Sequence, residues 1–332
     1  MINRVLLVCP NGYAYKAFIR PLAIELSSTY EVSIAANFSD IDIPIDNSIN
    51  FFHMEFRRKS EIRKSIKSFF HIMRVIRLVR PDLVQTITPK LGLICQLAAW
   101  ICRVKHRIHV FTGLIWLNRK PPLSLIFQIL DFFIGAFTSR CIADSWSQLE
   151  KLKKILPRDK RIDVLGPGSI CGVVLPEKTG GKILKAEREV KNQFDLLYVG
   201  RLDPEKGIDD LLRVIESLRN SKTFEFRISF VGPDENDYAD KIDRIENCRY
   251  LGYQNNLAEI FSSSDMLVFP SYREGFGLVL IEAAAYGLPI VCYDICGVRD
   301  AVKNGKNAFM VPVGDVAGFA KAIVQVASDP SK

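Results

Sequence analysis

Short apolar runs and helical patterns alternate along this chain in two blocks, and such alternation closes into parallel sheets covered by helices. In the first block, strands are expected at Val5–Cys9, Glu31–Ala36, Leu83–Thr86, Arg107–Phe111 and Cys141–Ala143, with a helix near Ala17–Ser28. Residues 166–192 break the rhythm with clustered glycines, two prolines and many charges. The second block runs through strand Phe194–Val199, helix Ile208–Asn220 and strand Phe226–Val231. Strands at Asp265–Pro270, Pro289–Tyr293 and Phe309–Val311 follow. We therefore expect an α/β protein of two Rossmann-like domains, 1–168 and 193–332, joined by a linker over 169–192. Parallel sheets facing across a cleft bind ligands at the carboxyl ends of their strands.

The chain's 332 residues suffice for two hydrophobic cores. Its charge is unevenly placed. Residues 1–168 hold 25 Lys and Arg against 13 Asp and Glu, whereas 169–332 hold 20 against 24. The first domain is thus expected to face something anionic. No apolar stretch reaches the roughly 18 residues of a membrane span. The opening MINRVLLVCP reads as a buried strand rather than a signal peptide. The eight cysteines are scattered without a CxxC pair, which suits free cytosolic thiols better than disulfides or zinc.

The segment FPSYREGFGLVLIEAAAYGLPIVCYD carries the strongest chemical signal. A strand ends at Pro270, the loop Ser271–Gly277 follows, and a helix runs to about Tyr286, where Gly287 and Pro289 stop it. The helix N-terminus suits a diphosphate, and Gly275 and Gly277 permit close approach of a ligand. Glu274 and Glu282 can accept hydrogen bonds from sugar and ribose hydroxyls. Either alone reads plainly as a cap or a solvated helix residue. An acid amid Leu278–Ile281 and Ala283–Ala285, however, is poorly explained as surface. In YVGRLDPEKGIDDLL, Gly200, Arg201 and Lys206 occupy the turn after another strand, where two cations can neutralise a diphosphate without metal.

These two segments resemble retaining glycosyltransferases of the GT-B fold, specifically family 4 (group 1). The resemblance covers Phe194 to about Asp315 closely and the first domain more loosely, through VLLVCPNGYAYKAFIRPLA, TPKLGLICQLAAW, ADSWSQLE and GPGSICGV. It implies that Arg201 and Lys206 hold the donor diphosphate, Glu274 touches the donor sugar, and Glu282 touches the ribose. The backbone of Gly275, Phe276, Gly277 and Leu278 would approach the sugar and phosphates. It further implies a UDP-linked donor, no cofactor or metal, and a lipid-linked glycan acceptor in bacterial surface-polysaccharide synthesis. A nucleotide-sugar epimerase or phosphorylase, or a non-catalytic binding subunit, would use the same motifs. The chain departs from the family pattern in three places. Thr112 stands where many relatives have histidine, with His109 three residues earlier; GVVL lacks the usual linker Asp; and the chain stops at Lys332, where relatives run further.

Three residues of the first domain are acceptor-side candidates: Gly12, His109 and Thr112. Gly12 alone also reads as a tight turn, and a lone His is usually structural. Asp40-Ile41-Asp42 reads as a solvated loop rather than a metal motif. The stretch Arg57–Arg80 holds nine Lys or Arg and one acid, with Ile62, Ile66, Phe69, Phe70 and Met73 at helical spacing. It fits an anionic membrane surface, and equally a helix packed on the sheet. The apolar run Leu123–Phe137 adds to the membrane reading, although Gln128 and Asp131 within it read as a core helix. The expected location is the inner face of the cytoplasmic membrane. No nucleic-acid motif accompanies the cations.

Overall fold

The structure, a computed structural model, describes residues 2–39, 48–56, 62–173, 193–221 and 225–328. Asp40–Asp42, Arg57–Glu61 and the expected linker from residue 174 lie outside the described residues. The chain divides into two compact units, Met1–Gly172 and Val173–Lys332.

The first unit is built on a parallel sheet of β1 (Arg4–Asn11), β2 (Glu31–Asn37), β3 (Ile49–His53), β4 (Leu83–Ile87), β5 (His106–Phe111), β6 (Arg140–Ala143) and β7 (Ile162–Val164). Its strand order is β3-β2-β1-β4-β5-β6-β7. Val5–Cys9 are all buried because helices cover both faces, so the strand reads as an unbroken apolar run. The helices are α1 (Gly12–Ala14), α2 (Arg20–Ser27), α3 (Ile62–Val79), α4 (Pro89–Ile101), α5 (Leu123–Phe137) and α6 (Trp146–Leu152), with a π-turn at Tyr15–Ile19 leading into α2. Ser169–Cys171, expected as the start of the linker, instead pack on this unit. The Ser169 N–H donates to Asp144 O at 2.7 Å, and Ile170 is buried.

The second unit alternates more regularly: β8 (Phe194–Val199), α7 (Ile208–Ser221), β9 (Phe226–Val231), α8 (Ala239–Asp243), β10 (Cys248–Tyr250), α9 (Ala258–Ser263), β11 (Met266–Phe269), α10 (Leu278–Ala285), β12 (Ile290–Tyr293), α11 (Val298–Ala301), β13 (Ala308–Val311) and α12 (Val316–Ser328). Its sheet is also parallel, in the order β10-β9-β8-β11-β12-β13. The chain winds outward from β8 to β10, then returns to lay β11 on the other side of β8. That reversal is a topological switch point, and the loops leaving β8 and β11 diverge around a crevice where such sheets bind ligands. Both chemical motifs of the sequence lie on these two loops. The strands β3, β7 and β10 were not expected; each is a short sheet member far from a switch point.

Candidate active site

The turn after β8 is held from below. The Tyr198 hydroxyl donates to Arg201 O at 2.8 Å, and a Cβ on Gly200 would stand 2.8 Å from that hydroxyl. Asp203 Oδ1 accepts the Glu205 N–H at 2.8 Å and starts a single 3₁₀ turn, Pro204–Lys206. Gly207 ends it at φ 75, a conformation that disfavours any side chain. A Cβ there would also lie 2.0 Å from Pro270 O, so Gly207 permits contact between this turn and the end of β11.

The loop Ser271–Gly277 then carries the chain from Pro270 to α10. Gly275, Phe276 and Gly277 are buried, and Gly277 caps the helix at φ 92. The next loop of the sheet presses against it: a Cβ on Gly297 would come within 2.6 Å of Gly275 O. Two residues of the cation turn bind this loop directly. The Tyr272 N–H donates to Glu205 O at 3.1 Å, and the Arg273 guanidinium pairs with the Glu205 carboxylate. Lys206 Nζ donates to Glu274 Oε1 at 2.6 Å. The structure thus joins two residues 68 positions apart that the sequence singled out separately.

Arg201 pairs with Glu235 at 2.9 Å and with Asp203 at 3.4 Å. Lys206 is more enclosed. Burial pushes its ammonium below the usual range, the Glu274 carboxylate pulls it back up, and Arg201 and Arg273 push it down again. Glu282, in the middle of α10, is half-buried, and its carboxylate makes no side-chain hydrogen bond or ion pair among the described residues; burial raises its carboxyl. Leu278 opens α10; the Leu280 N–H donates to Gly277 O at 3.0 Å, and the Leu278 and Val279 N–H groups, which precede the first helical bond, favour a negative ligand.

In the first unit, Gly12 lies at the end of β1, beside that sheet's own switch point between β1 and β4. It opens α1, whose Ala14 N–H is capped by Asn11 Oδ1 at 2.9 Å. Thr112 directly follows β5 and is part-buried. His109 needs correction as an acceptor-side residue. It is fully buried inside β5, with its ring edge-on to Phe111 and against Gly92 of α4, where a Cβ would stand 2.2 Å away. Its Nδ1 is 2.8 Å from Thr86 Oγ1, and burial pushes its pKa down to about 3. It is a neutral core histidine whose small neighbour, Gly92, makes room for it.

The sequence reading missed Asp210, Tyr272 and Tyr293. Asp210 looks like an ordinary acid in a first helical turn, where the dipole favours it. It is instead buried and accepts hydrogen bonds from both phenols and from Arg213. Only the spacing of buried positions along α7 hinted that it faces inward.

Two parallel-sheet Rossmann-like units, one with a cation turn and a glycine-bounded helix N-terminus at its switch point, define the GT-B class of glycosyltransferases. The family described as "Glycosyl transferases group 1" matches residues 181–332, and "Glycosyl transferase 4-like" matches residues 4–142. The chain belongs to the group 1, family-4-like glycosyltransferases. It is 27% identical over 286 residues to the capsular polysaccharide biosynthesis glycosyltransferase CapM of Staphylococcus aureus, covering 83% of this chain and 75% of the relative. It is 27% identical over 301 residues to an Escherichia coli UDP-Gal:alpha-D-GlcNAc-diphosphoundecaprenol alpha-1,3-galactosyltransferase, covering 86% and 76%. Among solved structures, Anabaena HepE in complex with UDP and glucose superposes with a TM-score of 0.74 at 16% identity, covering 100% of this chain and 91% of that one. A Thermosynechococcus elongatus sucrose-phosphate synthase gives 0.74 at 17% identity, covering 99% and 90%.

Proposed function

We propose that this glycosyltransferase moves a sugar from a UDP-linked donor to a lipid-linked glycan acceptor in bacterial surface-polysaccharide synthesis, with retention of configuration and without a metal ion. The observation that carries the reading is the Lys206–Glu274 contact, which sets a cation and a carboxylate side by side next to the α10 N-terminus. Lys206, Arg201 and the Leu278 and Val279 N–H groups at the start of α10 hold the diphosphate, at the turn that Gly200 opens. As the sugar–phosphate bond breaks, negative charge grows on the leaving diphosphate, and these fixed groups stabilise it. Glu274 accepts from a sugar hydroxyl and Glu282 from the ribose, with the backbone of Gly275–Leu278 close to both. The acceptor hydroxyl attacks from the face the diphosphate leaves and passes its proton to the departing phosphate oxygen, and the first unit, through Gly12 and Thr112, binds the acceptor. The UDP-Gal-dependent relative supports the donor and the lipid-diphosphate acceptor, and CapM supports the setting. A screen of UDP-sugars with membrane extracts, reading released UDP, tests this: turnover with at least one donor is expected only when extract is present. Absence of turnover with every donor, or an epimerised sugar formed without extract, contradicts it.

An acceptor of that kind places the enzyme on the inner face of the cytoplasmic membrane, and the first unit carries a surface suited to it. No described helix is long and apolar enough to cross a membrane. Helices α3, α4 and α5 pack side by side, and their only acid is Asp131, buried and accepting from Trp116 Nε1 at 3.0 Å. Although Gln128 and Asp131 suggested a core helix, α5 exposes Leu125, Ile126, Ile129, Phe132 and Phe133. On α3, Phe70 and Leu78 are 63% and 70% exposed among Lys67, Arg74 and Arg77, while Ile72, Val75 and Ile76 face the core. Aromatic residues among cations, without carboxylates, match an anionic bilayer interface. Flotation with phosphatidylglycerol vesicles, but not with phosphatidylcholine vesicles, is expected, and Phe132→Ser/Phe133→Ser should reduce it several-fold. Equal binding to both lipids, or to neither, would count against this surface.

A further inference from the structure

We propose that Asp210 is a positioning residue, whose carboxylate latches the donor loop Ser271–Gly277 to α7 through the Tyr272 phenol. Its consequence for catalysis rests on the donor-site reading above; the latch itself rests on contacts alone.

Asp210 follows the cation turn by four residues and is 2% exposed. One carboxylate oxygen accepts from Tyr272 and also from Tyr293, the latter at 2.7 Å; the other accepts from Arg213. These partners come from different elements. Tyr272 stands in the loop, two residues before Glu274. Tyr293 ends β12, fully buried, with its ring edge-on to Phe319 of α12 at 5.2 Å. Arg213 is one turn along α7 with a largely exposed side chain. A single carboxylate therefore ties the helix after β8 to the loop after β11 and the end of β12.

A buried charge is costly unless several donors meet it. Burial pushes the Asp210 carboxyl up, but hydrogen bonds from Tyr272, Tyr293 and Arg213 outweigh it and hold the group below the usual carboxylate range. Burial and then Asp210 push the Tyr272 hydroxyl up to about 12, so it remains a donor at neutral pH. The neighbouring Asp209 has a different task, accepting from the Tyr238 hydroxyl at 3.0 Å. With Glu205 holding Tyr272 N–H and Arg273, Asp210 sets the loop's height over the turn that carries Arg201 and Lys206.

The two phenols supply their own control. Tyr272→Phe and Tyr293→Phe each remove one hydroxyl from the same carboxylate, and both should lower the melting temperature. Only Tyr272 belongs to the donor loop. In the free protein, amide hydrogen exchange over 271–277 is expected to quicken about fivefold or more in Tyr272→Phe and to stay unchanged in Tyr293→Phe. UDP affinity by calorimetry should weaken about tenfold in Tyr272→Phe, because binding must then order the loop, and stay within about twofold in Tyr293→Phe. In loop exchange and UDP affinity, Asp210→Asn should behave like Tyr272→Phe, and adding it to Tyr272→Phe should change those two readouts little further. If both phenol variants move exchange and affinity alike, or neither moves them, Asp210 is only a structural ion and the proposal is overturned. If the wild type fails to bind UDP, the donor reading fails, while the exchange comparison still decides the latch.

Discussion

Replacing Lys206 with alanine is expected to lower sugar transfer by about a thousandfold and UDP affinity by at least tenfold, the largest effect of any single change in the second unit. Two losses add. The variant removes the more enclosed of the two cations assigned to the diphosphate, and deleting a fixed group that stabilises transition-state charge typically costs about 10²–10³ in rate. It also leaves Glu274, 13% exposed and 2.6 Å from the missing ammonium, as a carboxylate without that partner beside an incoming anion. Charge repulsion then acts where attraction did. Lys206→Arg should not restore the rate, because the planar guanidinium fork does not reproduce the ammonium's single 2.6 Å contact with Glu274 Oε1. Steady-state release of UDP, with circular dichroism to confirm folding, measures this. Near-normal turnover in the alanine variant would remove Lys206 from the diphosphate site.

Glu274→Gln should separate sugar chemistry from nucleotide binding. At neutral pH, UDP affinity stays within a few-fold, because the cation turn is intact. Transfer falls about a hundredfold, the cost of losing a charged hydrogen-bond acceptor on the sugar. The pH dependence provides a second signature. In the wild type, Glu274 raises the Lys206 ammonium against the lowering effect of burial. Without the carboxylate, burial acts with less opposition and the Lys206 pKa falls further. The ammonium is then lost at lower pH, so the alkaline decline of UDP affinity should shift to lower pH in Glu274→Gln and be absent in Lys206→Ala. Calorimetric titrations of UDP from pH 7 upward follow this; superimposable profiles for wild type and Glu274→Gln would break the link between the two side chains.

What could be read from the sequence follows from what is local. Strand, turn and helix succeed one another in a single short stretch at Leu196–Leu211 and again at Met266–Ala285. Glycines mark where the backbone turns, and charged residues stand out against apolar runs. The second unit's strand alternation was plain for the same reason, since buried parallel strands read as unbroken apolar runs. Short β7 and β10 offer only three residues each, too few for periodicity to register. Asp210, Tyr272 and Tyr293 were hidden because their meeting depends on strand order: 62 and 83 residues separate the partners. His109 misled for the opposite reason. A polar residue near the end of a strand suggests a site, but β5 is covered on both faces, and the space beside Gly92 that accepts the ring exists only once α4 is packed. The sequence of α5 pointed both ways, its apolar run to an exposed membrane face and Gln128 and Asp131 to a core helix. The acid is buried, on the side that meets Trp116, while the remaining face stays exposed.

The central claim is that the loops leaving β8 and β11 form one diphosphate site. The most direct measurement is an experimental structure of the protein with UDP. The diphosphate should lie at the N-terminus of α10 within hydrogen-bond reach of Lys206 Nζ and the Arg201 guanidinium, with the ribose beside Glu282. A diphosphate bound elsewhere on the second unit, or one that leaves Lys206 paired only with Glu274, would contradict it.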